Sequence, residues 1–317
     1  MRTASGRSEW RRGLMGRARS AARPGLELLG EVTSQRRPLP DFLIIGAQKA
    51  ATTALYHYLT QHPGVRPAIM KEVHYFDLHH ERGERWYRGH FPQRLDPMRS
   101  TPSFVTGEAS PYYLFHPLVP DRVVTLLPDV KLIVLLRDPV RRAISQYHHE
   151  VSHGFETRSM TQAIREEPDM LLAEEARLAA GLPPSTAHQH GSYLSRGLYA
   201  EQLLRWMHRF PKDQLLIVSS DRLSKDGGIT YRRVLAFLGL PSDGRTSFER
   251  VHGQTYPAPD PDLVARIREY YVRPNRRLVA LIGHERADEF PWLAGSMVPG
   301  GDAGIRTLDG AQHPVTA

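Results

Sequence analysis

The stretch "FLIIGAQKAATTALYHYL", residues 42–59, constrains the fold of this chain more than any other. An apolar run over 41–46, bounded by turn-forming residues, reads as a buried strand. Leu55, Tyr58 and Leu59 then share one face at i, i+3 and i+4, so Thr52 to Gln61 reads as an amphipathic helix. The same alternation recurs downstream. "VKLIVLL" (130–136) is the strongest strand signal, and a helix follows it with Asp138 placed as N-cap and Pro139 at the first helical position. "QLLIVSS" (214–220) is a strand before the helix "ITYRRVLAFLGL" (229–240). Strands alternating with helices predict an α/β domain of three layers, with a central, mostly parallel sheet flanked by helices.

The other segments fit around that frame. "KEVHYFD" (71–77) reads as a short strand or strand-like loop, and "FVTGEASPYYL" (104–114) as a strand with a following loop. Residues 193–210 read as an amphipathic helix. Residues 261–283 read as a helix, a break at Pro274 and a second helix. The segment 155–192 reads as a helical piece followed by a substrate-side surface insertion. The prolines of "RRPLP" mark a boundary. The domain is therefore expected over 40–292, between a basic disordered arm (1–39) and a flexible tail (293–317).

A net charge of +8 invites a nucleic-acid reading, but its distribution argues against one. Residues 1–40 hold nine Arg and three Glu, which is +6, so residues 41–317 carry about +2. The arm is suited at most to weak contact with an anionic membrane. There is no cysteine, no run approaching the ~20 apolar residues of a membrane span, and no signal-peptide core. These features lead to the expectation of a cytoplasmic protein without specific nucleic-acid partners. They leave the oligomeric state open.

Three motifs carry chemistry. In "GAQKAATT" a strand, a small-residue turn and a helix N-terminus expose backbone N–H groups, beside Lys49 and the hydroxyls of Thr52 and Thr53. This is a P-loop-type arrangement, yet Lys49 comes three residues after Gly46, whereas the Walker pattern needs six. In "LLRDPVRRAISQY", Arg137 ends a strand and Ser145 lies about two helical turns on, a pairing suited to a phosphate. In "KEVHYFD", period two places Glu72, His74 and Phe76 on one side, with Val73, Tyr75 and Asp77 on the other. A carboxylate and an imidazole on one face suit acid–base chemistry. His149 and His153, at i, i+4, have the spacing of a metal pair but read as solvated histidines, and no metal is expected.

Together these motifs resemble the sulfotransferase superfamily, most closely the heparan sulfate N- and O-sulfotransferases. The likeness spans about residues 40–283 and includes "GEASPYYLFHPLVPDRV" and "FPKDQLLIVSSDRL" in the same order. It implies an enzyme using 3′-phosphoadenosine 5′-phosphosulfate (PAPS), without a metal, and releasing 3′,5′-ADP. The resemblance places Gln48, Lys49, Ala50, Ala51, Thr52 and Thr53 on the phosphosulfate, and Arg137 and Ser145 on the 3′-phosphate. Gly253, Gln254 and Tyr256 fall in a late nucleotide loop. Glu72 is the implied general base, with Lys49 and His74 beside the reaction. Lys71, His74, Asp77, Ser110 and Tyr113 lie toward the acceptor, a glycan or small molecule. Animal members carry a lysine where this chain has Ala109, and an arginine where it has Gln254. Two competing readings are an ATP/Mg²⁺-dependent P-loop kinase, which the lysine spacing opposes, and a lapsed domain that only binds.

Overall fold

The computed structural model describes residues 25–93, 104–183, 185–245, 247–248 and 256–296. Five parallel strands form one sheet in the order β2-β3-β1-β4-β5. They are β1 (Phe42–Gly46), β2 (Val65–Pro67), β3 (Val105–Ala109), β4 (Lys131–Leu136) and β5 (Leu215–Ser219). All five residues of both β1 and β5 are buried, as are five of the six in β4. Strands covered on both faces have no polar side to show, which is why they read as continuous apolar runs.

The helices are α1 (25–32), α2 (Thr52–Thr60), α3 (Gly83–Gly89), α4 (Val119–Leu126), α5 (Pro139–Ser152) and α6 (Met160–Ala179). They continue with α7 (Thr186–His190), α8 (Tyr199–Met207), α9 (Ser220–Lys225), α10 (Gly227–Leu238), α11 (Pro261–Ile282) and α12 (His284–Ala287). Asp138 caps α5 as expected, accepting from the Val140 N–H at 2.9 Å, with Pro139 inside the first turn.

The chain leaves β1 toward β2 on one side of the sheet and leaves β4 toward β5 on the other. The strand order therefore reverses between β1 and β4, and a crevice opens at their carboxyl ends, where open parallel sheets bind ligands. A separate cavity of 380 Å³, lined by residues including Asp41, Pro128 and Lys131, lies at the amino ends of the same strands, away from that crevice.

Four expectations are revised. "KEVHYFD", expected as a short strand or strand-like loop, pairs with no strand among the described residues and is an irregular segment running into a turn. His74 adopts a left-handed φ of 56°, which breaks the two-residue alternation, so Tyr75 and Phe76 both enter the core. Residues 261–282 form one unbroken helix around Pro274. Leu263, Ile267, Tyr271, Leu278 and Ile282 make one continuous buried stripe, and its packing outweighs the backbone hydrogen bond lost at the proline. The segment 155–192 is more ordered than a surface insertion. Ala163 and Ile164 of α6 join Val140, Tyr193, Leu263 and Ile267 in a second apolar cluster. Buried Glu167 accepts the N–H groups of Leu194 and Ser195 at 2.7 and 2.8 Å. Finally, part of the arm assigned to disorder is helical, as α1.

Candidate active site

Gly46 ends β1 directly beneath Leu114. A Cβ there would lie 2.5 Å from the Leu114 Cβ, so only glycine lets the chain turn at this point. The following loop is tight, with Lys49 and Ala51 at φ 66° and 67°. Left-handed conformations cost about 1–3 kcal/mol each for residues other than glycine, and they persist only where surrounding contacts impose them. Those contacts are present. The Ala47 N–H donates to the Leu135 carbonyl at 2.8 Å, and Arg137 Nη1 donates to the Lys49 carbonyl at 2.8 Å.

Ala51 precedes α2 and offers no side-chain cap, and no acidic residue stands in the first turn. The N–H groups of that turn therefore face the crevice with the positive end of the helix dipole. The Lys49 ammonium has its pKa lowered by burial and by Arg137, partly offset by the charges of Glu150 and Glu72. Two cations drawn together at an uncapped helix start form a site for a multiply charged anion.

Arg137 is itself positioned from behind, because the Tyr199 hydroxyl donates to its carbonyl at 2.8 Å. Ser145, buried on α5, meets the Tyr256 hydroxyl at 3.5 Å, and the Tyr256 ring stacks on His148 with centroids 4.6 Å apart. Two of the residues expected at the nucleotide, Ser145 and Tyr256, are thus in contact with each other. Gly253 and Gln254 lie outside the described residues.

Glu72 stands within 3.1 Å of Lys71 Nζ and 3.0 Å of His74 Nε2. Burial favours its neutral form, but the hydrogen bond from His74 and the charge of Lys71 prevail and hold its pKa at about 2. His74 Nδ1 contacts Asp77 Oδ2 at 2.8 Å. Two carboxylate partners require two N–H donors, which only the imidazolium provides. Burial alone would lower the pKa of His74; its hydrogen bonds to Asp77 and Glu72 instead raise it to about 10. His74 is therefore no free base in this geometry. It clamps Glu72, and buried Asp77 clamps His74. Lys71, expected near the acceptor, is paired with Glu72.

Ser110 and Tyr113, also expected on the acceptor side, are fully buried behind this turn. Ser110 Oγ accepts the His74 N–H at 3.2 Å, and the Tyr113 hydroxyl accepts the Tyr75 N–H at 2.9 Å. Both hydroxyls then donate to Glu108, at 2.7 and 2.9 Å, and Tyr87 donates to it as well, at 2.9 Å. These two residues support the turn rather than face a ligand.

A model of the sulfotransferase domain matches residues 39–256, well over half of the chain. The chain belongs to the sulfotransferase family. Human heparan sulfate glucosamine 3-O-sulfotransferase 3B1 is 34% identical over 283 residues, covering 80% of this chain and 65% of that enzyme. Human bifunctional heparan sulfate N-deacetylase/N-sulfotransferase 3 is 31% identical over 288 residues, covering 80% of this chain and 31% of that protein. The chain thus spans just under two thirds of the first relative's length. The crystal structure of a sulfotransferase from Alicyclobacillus acidocaldarius superposes with a TM-score of 0.61 at 29% identity, covering 77% of this chain and 96% of that one. The kinase reading falls with this assignment.

Sequence reasoning about this sulfotransferase domain missed several residues around the crevice. Glu108, fully buried, has its carboxyl pKa raised by desolvation, opposed by its three hydroxyl donors. Its signal was the run of polar residues in "GEASPYY", read as facing a ligand when it faces inward. His149 sits near enough to Lys49 and Glu72 to sense both charges, and burial lowers its pKa. His149 and His153 do lie together, with ring centroids 4.2 Å apart and the rings tilted by 51°, but among the described residues no group of three or more side chains is placed to hold a metal ion. Arg196 and Glu150, both buried, contact Gln48.

Proposed function

We propose that this domain transfers the sulfuryl group of PAPS to a hydroxyl or amine of a carbohydrate acceptor by in-line displacement. One observation carries the reading. An uncapped helix N-terminus, Lys49 and Arg137 meet at the switch point between β1 and β4, with the Glu72 carboxylate close enough to act on the Lys49 charge. PAPS supplies the sulfuryl group and departs as 3′,5′-ADP. The first-turn N–H groups of α2 and the Lys49 ammonium hold the phosphosulfate end and stabilise charge on its leaving oxygen. Arg137 and Ser145 hold the 3′-phosphate, beside the ring of Tyr256.

Glu72 takes the proton of the acceptor. A carboxylate held near pKa 2 is ionised but weakly basic. It therefore receives the proton late, once the forming O–S bond has acidified the hydroxyl. Lys71 and His74 keep Glu72 ionised and aimed until then. The carbohydrate acceptor is supported by the relatives, whose names specify heparan sulfate and, in the 3-O-sulfotransferases, its glucosamine.

Thermal melts with 3′,5′-ADP, and separately with ATP and Mg²⁺, test the donor site. A rise with 3′,5′-ADP alone is expected, and a rise with ATP and Mg²⁺ alone would overturn it. Incubation with labelled PAPS and a carbohydrate panel, read by mass spectrometry, is expected to give a sulfate adduct on a sugar. Sulfation of phenols only would overturn the acceptor class.

A further inference from the structure

Gln48 stands directly before Lys49, yet both ends of its side-chain amide are engaged inside the protein. Its Oε1 accepts from Arg196 Nη1 at 2.5 Å, and its Nε2 reaches Glu150 Oε1 at 3.4 Å. The two partners come from elements far along the chain, α5 and the short turn Ser195–Gly197. Glu150 is fixed in turn by His190 Nδ1 at 2.8 Å. Arg196 is 3% exposed. It also donates to Ser192 Oγ at 2.7 Å and to the Gln189 carbonyl at 2.5 Å, with its guanidinium 4.6 Å from the Tyr112 ring centroid.

A guanidinium buried so deeply is expected to have a carboxylate partner. Among the described residues Arg196 has none within ion-pair distance, and the loop amide takes that place. The contact ties residues 189–196 to a loop that holds two non-glycine residues in left-handed conformations. Arg137 tethers the same loop from the other side, through the Lys49 carbonyl.

We propose that Arg196 and Glu150 are positioning residues for the donor loop. They grip the Gln48 amide from two sides and hold the Lys49 backbone where its ammonium and the α2 N–H groups meet a phosphosulfate. Gln48 then serves the donor through its backbone and not through its side chain. The inference rests on the donor-site reading above and adds the parts that preorganise it.

The test measures 3′,5′-ADP affinity by calorimetry, kcat and KM for PAPS and acceptor, and melting temperature. The variants are Gln48→Leu, Arg196→Lys, Glu150→Gln and Glu150→Ala. Gln48→Leu removes both contacts, and Arg196→Lys keeps the charge but loses the fork that spans Gln48, Ser192 and Gln189. Each is expected to weaken 3′,5′-ADP binding about tenfold and to raise the KM for PAPS while leaving the acceptor KM unchanged. Glu150→Gln keeps an oxygen for the Gln48 N–H and is expected to retain most of the affinity that Glu150→Ala loses.

A purely structural role would lower melting temperatures and leave nucleotide affinity and the KM split unmoved, and that result overturns the proposal. Because Arg196→Lys is a core change, Gln48→Leu decides the matter if the other variant fails to fold. Wild-type protein that binds no 3′,5′-ADP overturns the donor-site reading itself, whereas wild-type binding with unchanged Gln48→Leu affinity overturns only the clamp.

Discussion

Glu72 and His74 titrate as a linked pair, and the direction of each shift sets a pH window. The ordinary value of 4.5 for Glu72 falls to about 2, so its pairing contributes fully above 4.5 and is lost as pH falls toward 2. For His74 the ordinary 6.5 rises to about 10, so its contribution is complete below 6.5 and is lost as pH climbs through 10. Between these limits the clamp is intact. We expect kcat to be flat from roughly pH 5 to 9 with respect to these two groups, and to decline above. In His74→Gln the alkaline decline should vanish, and the acid limb should move up toward the ordinary carboxylate range. A pH–rate profile that keeps its acid limb near 2 in this variant would show that His74 does not hold Glu72. Glu72→Gln keeps the shape but cannot take a proton. A fall in kcat of about 10²–10⁴ is expected, with 3′,5′-ADP affinity nearly unchanged. Full turnover in Glu72→Gln would remove it as the base.

At the scale of elements, β3 matters less for its place in the sheet than for the carboxyl it buries. Glu108 gathers the hydroxyls of Ser110, Tyr87 and Tyr113, and two of these hold the N–H groups of His74 and Tyr75. Glu108→Gln replaces one acceptor oxygen with an N–H₂ group facing hydroxyl donors. A loss of about 1–3 kcal/mol in stability is expected, measured by denaturant unfolding, with kcat falling more than nucleotide affinity. An unchanged kcat in a folded variant would separate this network from the turn. The contrast between elements also explains what could be read from the sequence. Lys49 and Arg137 were legible because strand ends and helix starts are local signals, and a parallel sheet brings its strand ends together. Glu108 was not, because a buried carboxyl and an exposed one look alike in "GEAS". Arg196 was not, because 148 positions separate it from Gln48. The alternation in "KEVHYFD" misled at one place: Val73, Tyr75 and Asp77 are buried together as period two has it, but Phe76, after the left-handed His74, is buried with them.

At the scale of the whole molecule, the boundary of the folded unit and the donor site can be tested together. Helix α1 was not expected, yet Gly30 lies against Gly89 so closely that a Cβ on Gly30 would stand 2.4 Å from the Gly89 carbonyl oxygen. Arg88 Nη1 donates to the Arg37 carbonyl at 3.0 Å, and Arg37 donates to the Phe91 carbonyl. The folded unit therefore extends toward the N-terminus beyond residue 40, and α1 meets the end of α3 at the Gly30–Gly89 contact. Removal of residues 1–24 should leave the melting temperature unchanged, whereas removal of 1–36 strips α1 and should lower it. Equal melting temperatures for the two truncations would show that α1 adds nothing to the domain. Ligand linkage gives the second readout on the same proteins. A ligand at a hundred times its Kd stabilises the native state by about 2.7 kcal/mol. For a domain of this size each kcal/mol raises Tm by about 2–4 °C, so saturating 3′,5′-ADP should add roughly 5–10 °C. The increment should survive removal of α1, because the donor loop is tethered by Leu135, Arg137 and Arg196 and, among the described residues, by none before residue 37. If the increment disappears with α1 while the truncated protein still unfolds cooperatively, then the N-terminal helix is coupled to the crevice, and the donor site is not the self-contained unit that these tethers describe.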